Sequence, residues 1–212
     1  IPLRLVGSEM CIRDSPKKYG QCASIIEDQG YDEINLNIGC PSSKVVKGEF
    51  GACLMNNPDK VAECVYEIKQ SCDLPISIKT RLGLGYEENL DLLFTLINKT
   101  KVFGCSKYII HARNAILNGL SPKKNRKIPV LRYADVTTVK DSFPGLEFYL
   151  NGGVEDISEI RKNINKFDGL MIGRRIYDNP MFLNQIEKEI YNNNETLSRP
   201  VSYTHLTLPT NR

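Results

Sequence analysis

Two neighbouring stretches decide the fold: Leu146-Glu-Phe-Tyr-Leu-Asn-Gly-Gly153 and Gly169-Leu-Met-Ile-Gly-Arg174. Each is a short β-rich run that stops on glycine beside a polar side chain. Three runs upstream are followed by polar or Gly-rich groups. Glu33–Ile38 leads into Asn37-Ile-Gly-Cys-Pro41, Ile76–Thr80 into Lys79-Thr-Arg-Leu-Gly83, and Lys107–Ile110 into His111-Ala-Arg113. Between the runs lie apolar residues at helical spacing: Val61, Cys64, Val65 and Ile68; Leu92, Leu93, Leu96 and Ile97; Ile157, Ile160 and Ile164; Phe182, Leu183, Ile186 and Ile190. Strands alternating with helices predict an α/β chain with a parallel sheet.

Such a chain is either a doubly wound sheet or part of a (β/α)8 TIM barrel. Chemistry-bearing groups at the C-terminal end of every run favour the barrel, whose sites are built at that rim. A Rossmann reading wants GxGxxG after the first strand, and none is present. The two glycine-rich ends fall where barrel strands 7 and 8 would stop, so the runs are expected to be about strands 4 to 8. The N-terminal barrel units are then expected to be missing. A body of this kind, with open sheet edges, is not expected to fold stably alone.

Composition narrows the class. The 212 residues are 41% hydrophobic and 25% charged, with no Trp, the profile of an ordinary globular chain. No apolar run approaches the roughly 20 residues of a membrane helix. A net charge of +3 is too weak by itself to imply nucleic acid. Seven cysteines without a CxxC pair read as free thiols of a reducing cytoplasm. The ends differ from the rest. Leu5–Ser15 (LVGSEMCIRDS) and Val201–Arg212 (VSYTHLTLPTNR) resemble translated sequencing-adapter sequence. Residues 1–15 and 201–212 are therefore expected to be artefactual, flanking a body at 16–200. Asn57-Pro58 and Asn179-Pro180 each read as an N-cap followed by Pro in the first helical turn.

Chemistry concentrates at the rim. Cys40 follows Gly39 at a strand end, where a thiol can act as general acid or nucleophile or be buried inertly. Lys79 suits an electron-rich heterocycle or a phosphate, or a plain salt bridge. A lone His111, with no matching acidic or Cys cluster, argues against a metal. Gly152-Gly153 and Gly173-Arg174 offer backbone N–H groups and a guanidinium, the recipe for a phosphate. The long connection from His111 to Tyr133 carries the basic run Lys123-Lys-Asn-Arg-Lys127, either a solvated charge run or a phosphodiester contact.

The longer motifs are distinctive: INLNIGCPSSKVVKGEFGACLM (34–55), SIKTRLG (77–83), IIHARNAILNGLSPKKNRKIPVLRY (109–133), YLNGG (149–153) and GLMIGRRIYDNP (169–180). From about Gly30 to Leu183 the chain resembles the tRNA-dihydrouridine synthases, most of all the A-type enzymes acting at tRNA positions 20/20a. The resemblance implies an FMN-dependent, NADPH-using reduction of a uridine in the D-loop of tRNA. It implies a monomeric cytoplasmic enzyme with no metal. Cys40 matches the family's proton donor. Lys79 and His111 match its flavin contacts, and Asn151, Gly152, Gly153, Gly173 and Arg174 its phosphate-end loops. Asn37, Lys124, Arg126 and Lys127 lie where the family meets tRNA. The family's N-terminal Pro-Met segment, its flavin-side Gln and its C-terminal helical domain are expected to have no counterpart here. Three other readings stay open: an FMN barrel dehydrogenase for a free pyrimidine, an RNA-binding remnant, and an inactive truncated fragment.

Overall fold

The computed structural model describes residues 16–42 and 51–194. The end segments set apart above lie outside these residues. Among the described residues five strands form one sheet: β1 (Ile34–Ile38), β2 (Ile76–Arg81), β3 (Cys105–His111), β4 (Glu147–Asn151) and β5 (Gly169–Met171). All neighbours are parallel and the order is sequential, β1-β2-β3-β4-β5. A doubly wound sheet reverses direction at a switch point. Among the described residues this sheet has no reversal, a strand order consistent with a TIM-like barrel.

The strands are filled by β-branched and aromatic residues on one face. Ile34, Leu36, Ile38, Ile76, Ile78, Tyr108, Ile110, Phe148 and Leu150 are buried in one core with helix residues Val61, Val65, Ile68, Leu93, Leu96, Ile97, Val136 and Val139. Those helices are α2 (Pro58–Ser71), α3 (Asp91–Lys101) and α4 (Tyr133–Ser142). Because side chains alternate, the register fixes the opposite face. One level of it pairs Asn37, Lys79, Ile109, Tyr149 and Gly169; the next pairs Arg81, His111, Asn151 and Met171. The second level is the C-terminal rim.

Local signals explain most boundaries. Asn57 Oδ1 accepts from Lys60 N at 3.2 Å, capping α2 with Pro58 at its first turn. The other Asn-Pro pair behaves differently. Asn179 terminates the short helix α6 (Arg174–Asp178), and its carbonyl accepts from Phe182 N at 3.0 Å, the start of α7 (Phe182–Ile190). A turn separates the pair from α7, so Asn179 is a C-cap rather than an N-cap. A helix without a sequence signature, α1 (Pro16–Asp28), packs on α2 through Gly20. A Cβ there would lie 2.9 Å from Glu67 O. Helix α5 (Ile157–Asn163) joins α6 and α7 in a second apolar cluster around Ile157, Ile160 and Phe182. No helix among the described residues is long and apolar enough to cross a membrane.

Candidate functional site

β1 delivers Cys40 to the rim. Gly39 behind it is held from both sides: its N–H donates to Asn37 Oδ1 at 3.2 Å, and its carbonyl accepts from Arg81 Nε at 3.0 Å. The Cys40 carbonyl accepts from Ala52 N at 3.0 Å. The thiol is half-buried and free. Thus the backbone carrying the thiol is pinned, while the thiol keeps a path to solvent.

Arg81 is the organising residue of the rim. Only 5% exposed, it sits two positions after Lys79 on the same strand face. Its Nη1 donates to the carbonyls of Asn114 and Asn125, both at 3.1 Å. Burial, with Arg113 and Arg126 nearby and only Cys40 acting the other way, pulls its pKa down to about 10. It therefore remains a cation at neutral pH.

β3 delivers His111, which is 7% exposed. Burial first, then the charges of Arg81, Lys79, Arg113 and Arg174, push its pKa down to about 2. The imidazole is neutral and Nδ1 is buried without a hydrogen bond. Arg113 Nε is in the same condition. Buried polar atoms are nearly always satisfied, so two orphans among cations make an arrangement that can take up an anion.

The glycines around it divide into roles. Gly152 has φ +101°, and a Cβ there would lie 3.1 Å from the His111 ring. Only glycine lets this turn run against the imidazole. At Gly153 (φ +74°) a Cβ would collide with Leu131 and lie 2.6 Å from the Tyr133 hydroxyl, so its smallness serves packing. Gly173 faces open space, and Arg174 beside it is exposed. Asn151 Nδ2 donates to Met171 O at 2.8 Å, tying β4 to β5 at the rim. The helix after Gly173 has five residues, so the attraction for an anion comes from the side-chain charges more than from a helix dipole.

The basic run is an ordered loop with a 3-10 turn at Lys124–Arg126. Asn125 in its middle is fully buried. Lys124 and Lys127 are exposed and Arg126 is half-buried. Because Asn125 and Gly39 both bond Arg81, the loop stands beside the Cys40 strand end.

A family model described as Dihydrouridine synthase (Dus) matches residues 11–208. The chain belongs to the dihydrouridine synthase family. Among its relatives, the tRNA-dihydrouridine(20/20a) synthase of Escherichia coli strain K12 is 41% identical over 210 residues, covering 99% of this chain and 59% of that protein. The enzyme of the same name from Vibrio cholerae serotype O1 is 41% identical over 196 residues, covering 92% and 60%. That from Shewanella oneidensis is 43% identical over 174 residues, covering 82% and 52%. The chain thus spans about three-fifths of the length of the first of these relatives, 59%. Among solved structures, a dihydrodipicolinate synthase from Agrobacterium tumefaciens matches with TM-score 0.54 at 7% identity, covering 83% of this chain and 54% of that one. A putative phosphonomutase from Burkholderia cenocepacia matches with TM-score 0.52 at 15% identity, covering 83% and 64%. These two bear on fold alone.

In this Dus-family chain the rim gathers Cys40, His111, Gly152 and Arg174, with Lys124 and Arg126 on the adjoining loop; Lys79 lies one level lower, and its charge acts on His111. Asn37 sits one level lower with its side chain engaged by Gly39. Arg81, Arg113 and Asn125 went unread in the sequence. The signal for Arg81 was its two-residue spacing from Lys79. Asn125 could have been flagged as the one uncharged residue in the run Lys123–Lys127.

Proposed function

We propose that this rim binds FMN and serves the reduction of a uridine in the D-loop of tRNA, at positions 20/20a, to 5,6-dihydrouridine, with NADPH as reductant. The observation that carries the reading is that one guanidinium, Arg81, is shared by the Cys40 strand end and the basic loop, beside a cationic pocket. A thiol acid, an anion pocket and a phosphodiester contact then act on one substrate.

The residues present fit a flavin phosphate on two grounds: the orphaned His111 Nδ1 and the four cations, Arg81, Lys79, Arg113 and Arg174, whose charges act on that ring. Lys79, His111, Asn151, Gly152, Gly153, Gly173 and Arg174 would hold the cofactor. When bound, FMN supplies the hydride that adds at uracil C6. Cys40 Sγ–H gives its proton to C5, which hydride addition makes basic, and the thiolate left behind is reprotonated from water. The pinned Gly39–Cys40 backbone keeps the thiol aimed at that carbon. Neutral His111 can donate from one ring nitrogen or accept at the other as the ligand requires. Asn37, Lys124, Arg126 and Lys127 hold the RNA, whose target base must leave its stack to reach the rim. The enzyme is taken to be cytoplasmic and monomeric, as the resemblance implies.

Cys40→Ala in the full-length protein tests the assignment. The expected outcome is retained flavin absorbance with dihydrouridine formation reduced by about 10²–10⁴-fold, read by mass spectrometry of tRNA hydrolysates. Undiminished turnover would overturn the role of Cys40. Reduction of free uracil in preference to tRNA would move the reading to a pyrimidine dehydrogenase.

A further inference from the structure

Asn125 is an uncharged residue enclosed by a charged run. Its exposure is 0%, although Lys124 and Lys127 around it face solvent. Its side chain is spent inside the loop. Oδ1 accepts from Ile116 N at 2.7 Å, and Nδ2 donates to Ile116 O at 2.8 Å. Nδ2 also reaches the carbonyls of Leu120 at 3.2 Å and Ser121 at 3.4 Å. The amide thus clamps the two ends of the 116–125 loop and leaves the Asn125 main-chain carbonyl aimed at the barrel rim. That carbonyl accepts from Arg81 Nη1 at 3.1 Å, and Arg81 Nε donates to Gly39 O at 3.0 Å.

The chain of bonds is short and directional. Gly39 O belongs to the Gly39–Cys40 peptide, so whatever turns that peptide turns the Cys40 Cα. A guanidinium is planar and its donors are fixed relative to one another. Moving the Asn125 carbonyl therefore tilts the donor that holds Gly39. Arg81 also bonds Asn114 O at 3.1 Å, and Asn114 Nδ2 donates to Glu87 O at 2.8 Å, which anchors the same fork from the β2 side.

We propose that Asn125 is a positioning residue: by folding the basic loop around itself and presenting its carbonyl to Arg81, it sets the orientation of the Cys40 backbone. The loop's basic side chains grip an RNA backbone while its buried amide aims the thiol. This inference rests on reading Cys40 as the proton donor and the loop as an RNA contact. Its structural content is separable from both.

The test measures the alkylation rate of each cysteine by iodoacetamide, resolved by peptide mass spectrometry, in the full chain without flavin or RNA. Asn125→Ala is expected to speed Cys40 labelling by at least about threefold, while buried Cys64 and Cys105 stay protected. Arg81→Lys keeps the charge and the loop interior but cannot bridge both carbonyls as a fork. It is expected to give the same increase, and the double variant no more than either alone. An unchanged Cys40 rate in either single variant overturns the proposal, as does a double variant in which the two effects multiply. Labelling of Cys64 and Cys105 along with Cys40 in Asn125→Ala means that the amide holds the fold at large, which also overturns it. Because no turnover is read, a failure of the dihydrouridine assignment leaves this result interpretable.

Discussion

The two ends of one sheet face handle charge in opposite ways. At the N-terminal end, Glu33 accepts from Lys107 Nζ at 2.5 Å and also from the Ser77 hydroxyl, whose oxygen accepts from Asn35 Nδ2 at 2.8 Å. Lys107 lies 5.6 Å from the Tyr149 ring centroid as well. Here each charge has its partner. At the rim, Lys79, Arg81, Arg113 and Arg174 all act on one neutral imidazole, and the charges that weigh most on it are positive. A fold can keep like charges together only at a cost, which a bound anion removes. On the proposed function the ion-paired end serves stability and the cationic end serves a ligand, as barrels divide their two faces.

The largest effect tests that contrast with pH. The folded His111 pKa, about 2, lies below its ordinary 6.5, so the folded chain stays neutral where the unfolded chain takes up a proton. Stability is therefore intact above pH 6.5 and falls as the pH drops, by about 1.4 kcal/mol per unit. Between pH 6.5 and 5 the loss is about 2 kcal/mol. Urea denaturation across this range should show a steeper decline for the parent chain than for His111→Gln. Saturating inorganic phosphate should shallow the decline, because an anion gives the imidazolium a partner. Equal slopes in the two proteins would break the comparison.

A smaller effect sharpens it. Arg174→Glu reverses one exposed charge that acts on His111. FMN affinity, read by quenching of flavin fluorescence, should weaken at least tenfold, about 1.4 kcal/mol. The flavin-free protein should melt no lower than the parent, since a repulsion among cations has been removed. A lower melting point with unchanged affinity would make Arg174 structural.

What could be read in advance follows from the range of the interactions. The strands, the helix stripes and the Asn57 cap are written in residues a few positions apart, where period and capping chemistry suffice. The rim was legible because glycine and polar residues break each apolar run at the same end. Arg81 was not: its bonds reach Gly39, Asn114 and Asn125, tens of positions away, and a buried arginine looks like any strand-end cation until its acceptors are known. Helix α1 was missed because its buried residues are Gly20 and Ala23, too small to make an apolar stripe. Asn179-Pro180 was misread because the same pair can open a helix or close the preceding one.

The smallest effect belongs to the compensated end. Glu33→Gln leaves an acceptor for Ser77 but sets an amide beside Lys107 in place of a carboxylate. The Glu33 and Lys107 side chains are 28% and 24% exposed, between a surface pair and a buried one, so the loss should be about 1 kcal/mol. Its pH dependence identifies the pair. Burial pulls the Lys107 pKa down, but the Glu33 hydrogen bond and charge outweigh it, and the net shift is upward from 10.5. A raised lysine pKa gives stability that is complete below 10.5 and fades as the pH rises through the folded value. The difference between parent and variant should therefore be level from neutral pH upward and shrink only in strong alkali. FMN affinity should stay within about twofold, since the substitution lies at the far end of the strands from the cationic pocket. A tenfold loss of FMN instead would mean that the polar face works as one unit from end to end, and the division between a stabilising end and a binding end would fail.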